Sequence, residues 1–171
     1  MKTVYSIFSS MAVVLMTGLA TGCHPGADVR VAPDTPAARP AGPVVEAQLE
    51  QNKRAVVAFY TRTFNDKDPE GAAKAYLGDH YTQHNPGVAD GVEGFLAFCH
   101  ASQQRAPLLH AEVIRVLAEG DLVFTHSRMT IPDRPTRSVM DIWRIENGKI
   151  VEHWDAIQAV PENAANSNTM F

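Results

Sequence analysis

The dipeptide Asn147-Gly148 constrains the fold of this chain more than any other feature. Both residue types tolerate positive φ, and the runs on either side, residues 136–146 and 149–159, are rich in β-branched and aromatic side chains. The pair predicts an antiparallel hairpin late in the chain. Two more strands lead up to it. Residues 109–117 alternate weakly, Glu119-Gly120-Asp121 turns the chain, and residues 122–131 run into a loop bounded by Pro132 and Pro135.

Helices come first. Val45, Leu49, Val56, Phe59, Tyr60 and Phe64 recur at three- and four-residue intervals, which predicts an amphipathic helix over 44–64. Asn65-Asp66-Lys67 breaks it. Asp68-Pro69 then supplies an N-cap with proline at the first helical position, and a short second helix runs to Leu77, with Gly78 as its C-terminal cap. A third helix starts near Gly91 and carries Val92, Phe95, Phe98, Cys99 and Ser102 along one side. Helices followed by a meander of four strands predict an α+β fold, the helices packed on one face of an antiparallel sheet. Residues 161–171 have no periodicity and read as an irregular tail.

The beginning of the chain has a different character. Lys2 precedes an apolar stretch over 4–19, shorter than the roughly 20 residues a membrane span requires, so 1–22 reads as a secretory signal. Its end, Leu19-Ala20-Thr21-Gly22-Cys23, resembles a bacterial lipobox, with Ala20 standing where leucine is commoner. That resemblance implies a lipoprotein signal peptide with lipidation at Cys23. Residues 23–43 carry Pro25, Pro33, Pro36, Pro40 and Pro43 and should form an extended tether. The expected product is an exported domain, 44–171, anchored to a membrane by lipid and facing the periplasm or cell exterior. A formal charge of −4 without basic runs gives no footprint for nucleic acid. With Cys23 acylated, Cys99 stands alone, so no internal disulfide is expected and Cys99 reads as a core residue.

The last hairpin, from Asp141-Ile142-Trp143-Arg144 through Glu152-His153-Trp154-Asp155, and the segment Tyr81-Thr82-Gln83-His84-Asn85-Pro86-Gly87 resemble the SnoaL-like branch of the nuclear transport factor 2-like superfamily. The likeness covers about residues 45–161. It implies a cone-shaped α+β barrel, three N-terminal helices on a curved antiparallel sheet enclosing a pocket. The superfamily hosts isomerases, cyclases, dehydratases and non-catalytic binders, so fold alone does not choose a reaction.

Pocket membership turns on the hairpin register. A two-residue loop pairs Glu146 with Lys149 and puts Asp141 on one face with Trp154. A three-residue loop with a glycine bulge pairs Ile145 with Lys149 and puts Asp141 and Trp143 on one face with Val151, His153 and Asp155. The second gathers two carboxylates and a histidine, leaves Arg144 and Glu152 as an opposite-charge pair on the other face, and is the register adopted. By resemblance Asp155 is the first candidate base and Asp141 the second, with His126 and His153 as donors to a developing enolate oxygen. The same resemblance turns Phe124 and His126 inward and places Gln83 and Asn85 near the pocket mouth; Trp143 walls the carboxylates, and Arg128, if it faces inward, orients an anionic group on the substrate. Asparagine at 85, near the position of the ketosteroid isomerase base, argues against that particular reaction.

Two functions fit these residues. One is a cofactor-independent aldol-type cyclase or isomerase using general acid/base chemistry on a small carbonyl compound. The other is a non-catalytic small-ligand-binding lipoprotein. No cofactor is expected, and His84, His126 and His153 lack the helical spacing of a zinc site. A homodimer through the outer sheet face is a further expectation.

Overall fold

A computed structural model describes residues 42–171. The expected signal peptide and Cys23 lie outside the described residues, as does the tether except for Gly42 and Pro43. Helix α1 spans Pro43–Phe64, α2 Pro69–Tyr76 and α3 Gly91–Arg105; the strands are β1 Leu77–Gln83, β2 His110–Glu119, β3 Leu122–Thr130, β4 Arg137–Glu146 and β5 Lys149–Ala159. They form one curved sheet in the order β1-β5-β4-β3-β2, which is not closed into a barrel.

The sheet is mixed, not antiparallel throughout. β2 to β5 form the expected meander, but β1 pairs with β5 in parallel. This strand was not foreseen. Its sequence, Leu77-Gly78-Asp79-His80-Tyr81-Thr82-Gln83, buries only Leu77 and Tyr81 and does not alternate. Helix α2 accordingly ends at Tyr76, and Gly78 lies in the strand instead of capping the helix. The N-cap is as expected, with Asp68 accepting from the Gly71 N–H at 2.9 Å.

The core lies between α1 and the inner sheet face. Val56 and Phe59 are fully buried, and Phe59 and Tyr60 meet Trp143 edge-on at 5.6 and 6.3 Å between ring centroids. Full burial of a side chain of this size is worth about 1.5–3 kcal/mol. The end of α1 is tied to β2 by Asn65, whose amide donates to the Ala111 carbonyl at 2.8 Å and accepts from the Ala111 N–H at 2.9 Å.

The final hairpin combines the two registers weighed from sequence. Asn147 and Gly148 have φ of 51° and 75°, and Glu146 pairs with Lys149, so the loop has two residues and both take the positive φ of a type I′ turn. The three-residue loop is therefore incorrect. Ile145 then pairs with Ile150, yet Arg144 pairs with Glu152, which leaves Val151 as an extra residue in β5. This bulge shifts the register by one and restores the expected facing, with Asp141 opposite Asp155 and Trp143 opposite His153. Val151 packs toward Gly78, where a Cβ atom would come within 2.9 Å of its Cγ1.

Candidate active site

Strand parity decides what reaches the pocket. Thr125 and Met129 of β3, Val139, Asp141 and Trp143 of β4, and His153, Asp155 and Ile157 of β5 share the inner face. With α1, α3 and β1, all of these except the fully buried Thr125 bound a cavity of about 230 Å³. Phe59 and Tyr60 come from α1, Phe95 and Phe98 from α3, and Tyr81 and Gln83 from β1.

The hydrogen bonds at its inner end fix most donors and acceptors. The Asn85 N–H donates to Gln83 Oε1 at 2.9 Å, and Gln83 Nε2 donates to the Tyr81 hydroxyl at 3.1 Å, so the Gln83 amide has one orientation. His153 Nδ1 lies 3.1 Å from that same Oε1 and must carry a hydrogen. Trp143 Nε1 donates to Thr125 Oγ1 at 3.1 Å, which turns the Thr125 hydroxyl toward Asp141 Oδ2 at 2.9 Å. Only Asp141 Oδ1 and His153 Nε2, 3.2 Å apart, remain, and one proton lies between them. Burial raises the Asp141 pKa; His153 and Thr125 oppose the shift, Asp155 adds to it, and the net direction is up. With a single proton between them, Asp141 and His153 carry no net charge as a pair. The His153 ring is clamped flat on Trp143, with centroids 3.9 Å apart.

Asp155 is different. It is half-buried and accepts from Asn85 Nδ2 at 2.8 and 2.7 Å, one bond to each oxygen. Asn85 Oδ1 is taken by the Gly87 N–H at 2.7 Å, so the amide cannot turn over. The remaining lone pairs of Asp155 are available to a molecule in the cavity it lines. Beside Asp141 stands Tyr60, whose buried hydroxyl has no hydrogen-bond partner. Burial, reinforced by the charge of Asp141, holds its pKa well above that of an ordinary tyrosine, so it stays a neutral donor.

Of the residues anticipated from sequence, Asp141, His153, Asp155, Trp143, Gln83 and Asn85 all line the cavity. Three do not. Because Thr125 pairs with Asp141, it is Thr125 that takes the inner face and supports Asp141, and the alternate residues Phe124, His126 and Arg128 lie on the outer face. His126 accepts from Arg115 at 3.0 Å, contacts Ser138 at 3.0 Å and stacks on Phe171; burial and then Arg115 lower its pKa. Arg128 pairs with Glu112 at 3.0 Å. His153 also differs from expectation, because both its ring nitrogens are occupied by protein partners and neither can donate to a ligand. His84 is on the outer side, bonded to Glu152 at 2.9 Å and stacked on Trp154.

Sequence reasoning missed Thr125 and Tyr60. Thr125 was hidden by the parity assigned to His126, and Tyr60 by its place in the apolar stripe of α1. Among the described residues, Asp141, His153 and Asp155 bring ligand atoms within 4.8 Å of one another. They could hold a divalent ion only by giving up the Asp141–His153 bond. Cys99 is buried, which pushes its thiol pKa up to about 12.

Three helices, an open five-stranded sheet and an enclosed polar–aromatic pocket define the nuclear transport factor 2-like class. The chain belongs to the SnoaL-like domain family, which it matches over residues 56–153. No curated protein matches it. Among solved structures it resembles TsrD from Streptomyces laurentii, at 22% identity and a TM-score of 0.54, over 62% of this chain and 87% of that one. An LEH-like epoxide hydrolase of M. tuberculosis gives 23% identity and 0.54 over 65% and 85%. A candidate SnoaL-like polyketide cyclase from Jannaschia sp. CCS1 gives 18% and 0.57 over 70% and 91%. At these identities the likeness establishes the fold.

Proposed function

We propose that this protein is a cofactor-independent acid–base catalyst acting on a small carbonyl compound, as an aldol-type cyclase or an isomerase. One observation carries the reading: a carboxylate oriented by Asn85 lines a cavity that is also lined by Tyr60, whose buried hydroxyl has no protein partner. Asp155 takes a proton from the carbon beside a carbonyl, and the electron pair of that C–H bond moves onto the carbonyl oxygen. Tyr60 donates a hydrogen bond to the enolate oxygen. The enolate carbon then attacks a second carbonyl carbon in the same molecule, closing a ring, or is reprotonated elsewhere, moving a double bond. Asp155 returns its proton at the end. The Asp141–His153 pair, with one proton between its partners, carries no net charge and spares the site a second negative charge.

The test is hydrogen exchange. Acetophenone, cyclohexanone and 2,6-heptanedione in D₂O should gain deuterium next to the carbonyl faster with the protein than in buffer, and the diketone should also cyclise. Asp155→Asn should lose about 10²–10⁴-fold of that rate. A second reading, a pocket that only holds a ligand, draws on the saturation of Asp141 and His153 by protein partners; exchange at the buffer rate with every ketone would favour it. Export and lipid anchoring through Cys23 remain part of the proposal, supported by the lipobox-like sequence. So does a homodimer through the outer sheet face, where Leu117, Phe124, Ile142 and Trp154 make one cross-strand row.

A further inference from the structure

The cavity is acidic and aromatic at its inner end and cationic at its opening. Asp141, Trp143 and His153 are buried, whereas Arg105, Arg134 and Arg137, which line the same cavity, are exposed and so mark the mouth. They come from three places: the last turn of α3, the loop between β3 and β4, and the first residue of β4. Arg134 donates to the Arg105 carbonyl at 3.0 Å, which holds two of these segments together. Among the described residues none of the three arginines has a carboxylate within ion-pair distance, although Arg62, Arg128 and Arg144 all do. Asp133, in the same loop as Arg134, pairs with none of them. In a chain of net charge −4, three unpaired guanidinium groups gathered at one opening are against the trend. Like charges so placed repel one another and focus a positive potential into the cleft, and an anion relieves the repulsion.

We infer that the substrate carries an anionic group, a carboxylate or a phosphoryl group, on the end remote from its reacting carbonyl, and that Arg105, Arg134 and Arg137 hold it. The inference rests on the acid–base reading only for the carbonyl end. Arg137 and Asp141 stand on one face of β4 four residues apart, about 13 Å of strand, with Val139 between them and Ile157 alongside on β5. That interval takes an apolar spacer. A cavity of about 150 Å³ accommodates benzene, so one of about 230 Å³ encloses on the order of ten non-hydrogen atoms. The substrate is thus a small keto acid or keto phosphate, and a flat multi-ring molecule would have to protrude past the arginines.

The probes are 6-oxoheptanoate, its uncharged counterpart 6-oxoheptanamide, and 5-oxohexylphosphonate. Calorimetry at low salt should show the carboxylate or the phosphonate bound about tenfold more tightly than the amide, and the tighter of the two names the anion. The margin should shrink as salt rises and vanish in Arg105→Gln/Arg134→Gln/Arg137→Gln. Arg54→Gln, on the exposed side of α1, should keep it. Equal binding of acid and amide, or a preference that survives the triple variant, would overturn the inference. So would arginine-dependent binding to phosphatidylglycerol vesicles without acid–amide discrimination, since the arginines would then serve a lipid surface. Deuterium uptake by the same probes reports separately on Asp155. Selective binding without exchange would sink the catalytic reading and leave the anion site standing; exchange without selectivity would do the reverse.

Discussion

Asp141 and His153 are diagonal neighbours across β4 and β5, and their facing oxygen and nitrogen are 3.2 Å apart with a single proton between them. Burial raises the Asp141 pKa above the ordinary 3.8. The sign of its effect on stability follows. Above pH 3.8 the unfolded chain releases this proton while the folded one retains it, so Asp141 favours folding most at low pH. That contribution is lost as pH rises through the folded-state value. The unfolding free energy of the wild type minus that of Asp141→Asn should therefore fall as pH increases from about 4, by at most about 1.4 kcal/mol per pH unit. Urea titrations across the acid-to-neutral range measure it. A difference that grew with pH would mean that Asp141 is held ionised.

Asn85 reaches Asp155 from a loop 70 residues earlier in the chain, and it orients the carboxylate without burying it. Asn85→Ala should slow ketone deuteration by about ten- to a hundredfold, since a base free to rotate spends less time aimed at its proton. Stability should change little, by about 1 kcal/mol or less, because water can replace the lost bond at a half-buried carboxylate. A variant that lost both activity and fold would assign Asn85 a structural role instead.

Much of this was legible in the sequence, and the gaps have physical causes. Helical periodicity in 44–64, the Asp68-Pro69 cap and Asn147-Gly148 are local signals, and each produced its element. β1 was invisible because what holds it is non-local: Leu77 pairs with Ile150 and Gln83 with His153, in a strand whose own residues do not alternate. The inner face of the hairpin was read correctly through an incorrect loop, since a bulge at Val151 compensates for the shorter turn. Parity on β3 went the other way. His126 has the chemistry of a catalyst and Thr125 does not, yet pairing with Asp141 brings Thr125 inside.

Tyr60 offers a test in which function and stability diverge. Its hydroxyl is buried without a partner, an arrangement that costs folding free energy. Tyr60→Phe should leave the protein as stable or stabilise it by about 1 kcal/mol, while lowering the exchange rate by about 10²–10³-fold. Thermal unfolding and ketone deuteration on the same samples decide the matter. Reduced stability with unchanged exchange would make Tyr60 a packing residue.

The outer face carries the last expectation. Leu117 pairs with Phe124, Phe124 with Ile142, and Ile142 with Trp154, so one apolar row crosses four strands. Leu117 is 63% and Ile142 40% exposed, and Ile142 stands in the interior of the row. A twofold contact uses each residue twice, so one substitution there acts on both subunits. Ile142→Arg would set two guanidinium groups into the same apolar contact and should weaken dimerisation by about a hundredfold. Sedimentation at micromolar concentration should then find a dimer for the wild type and a monomer for the variant. The cavity opens on the opposite face of the sheet, so the two should bind small ketones alike, and a variant that lost binding would show that pairing shapes the pocket.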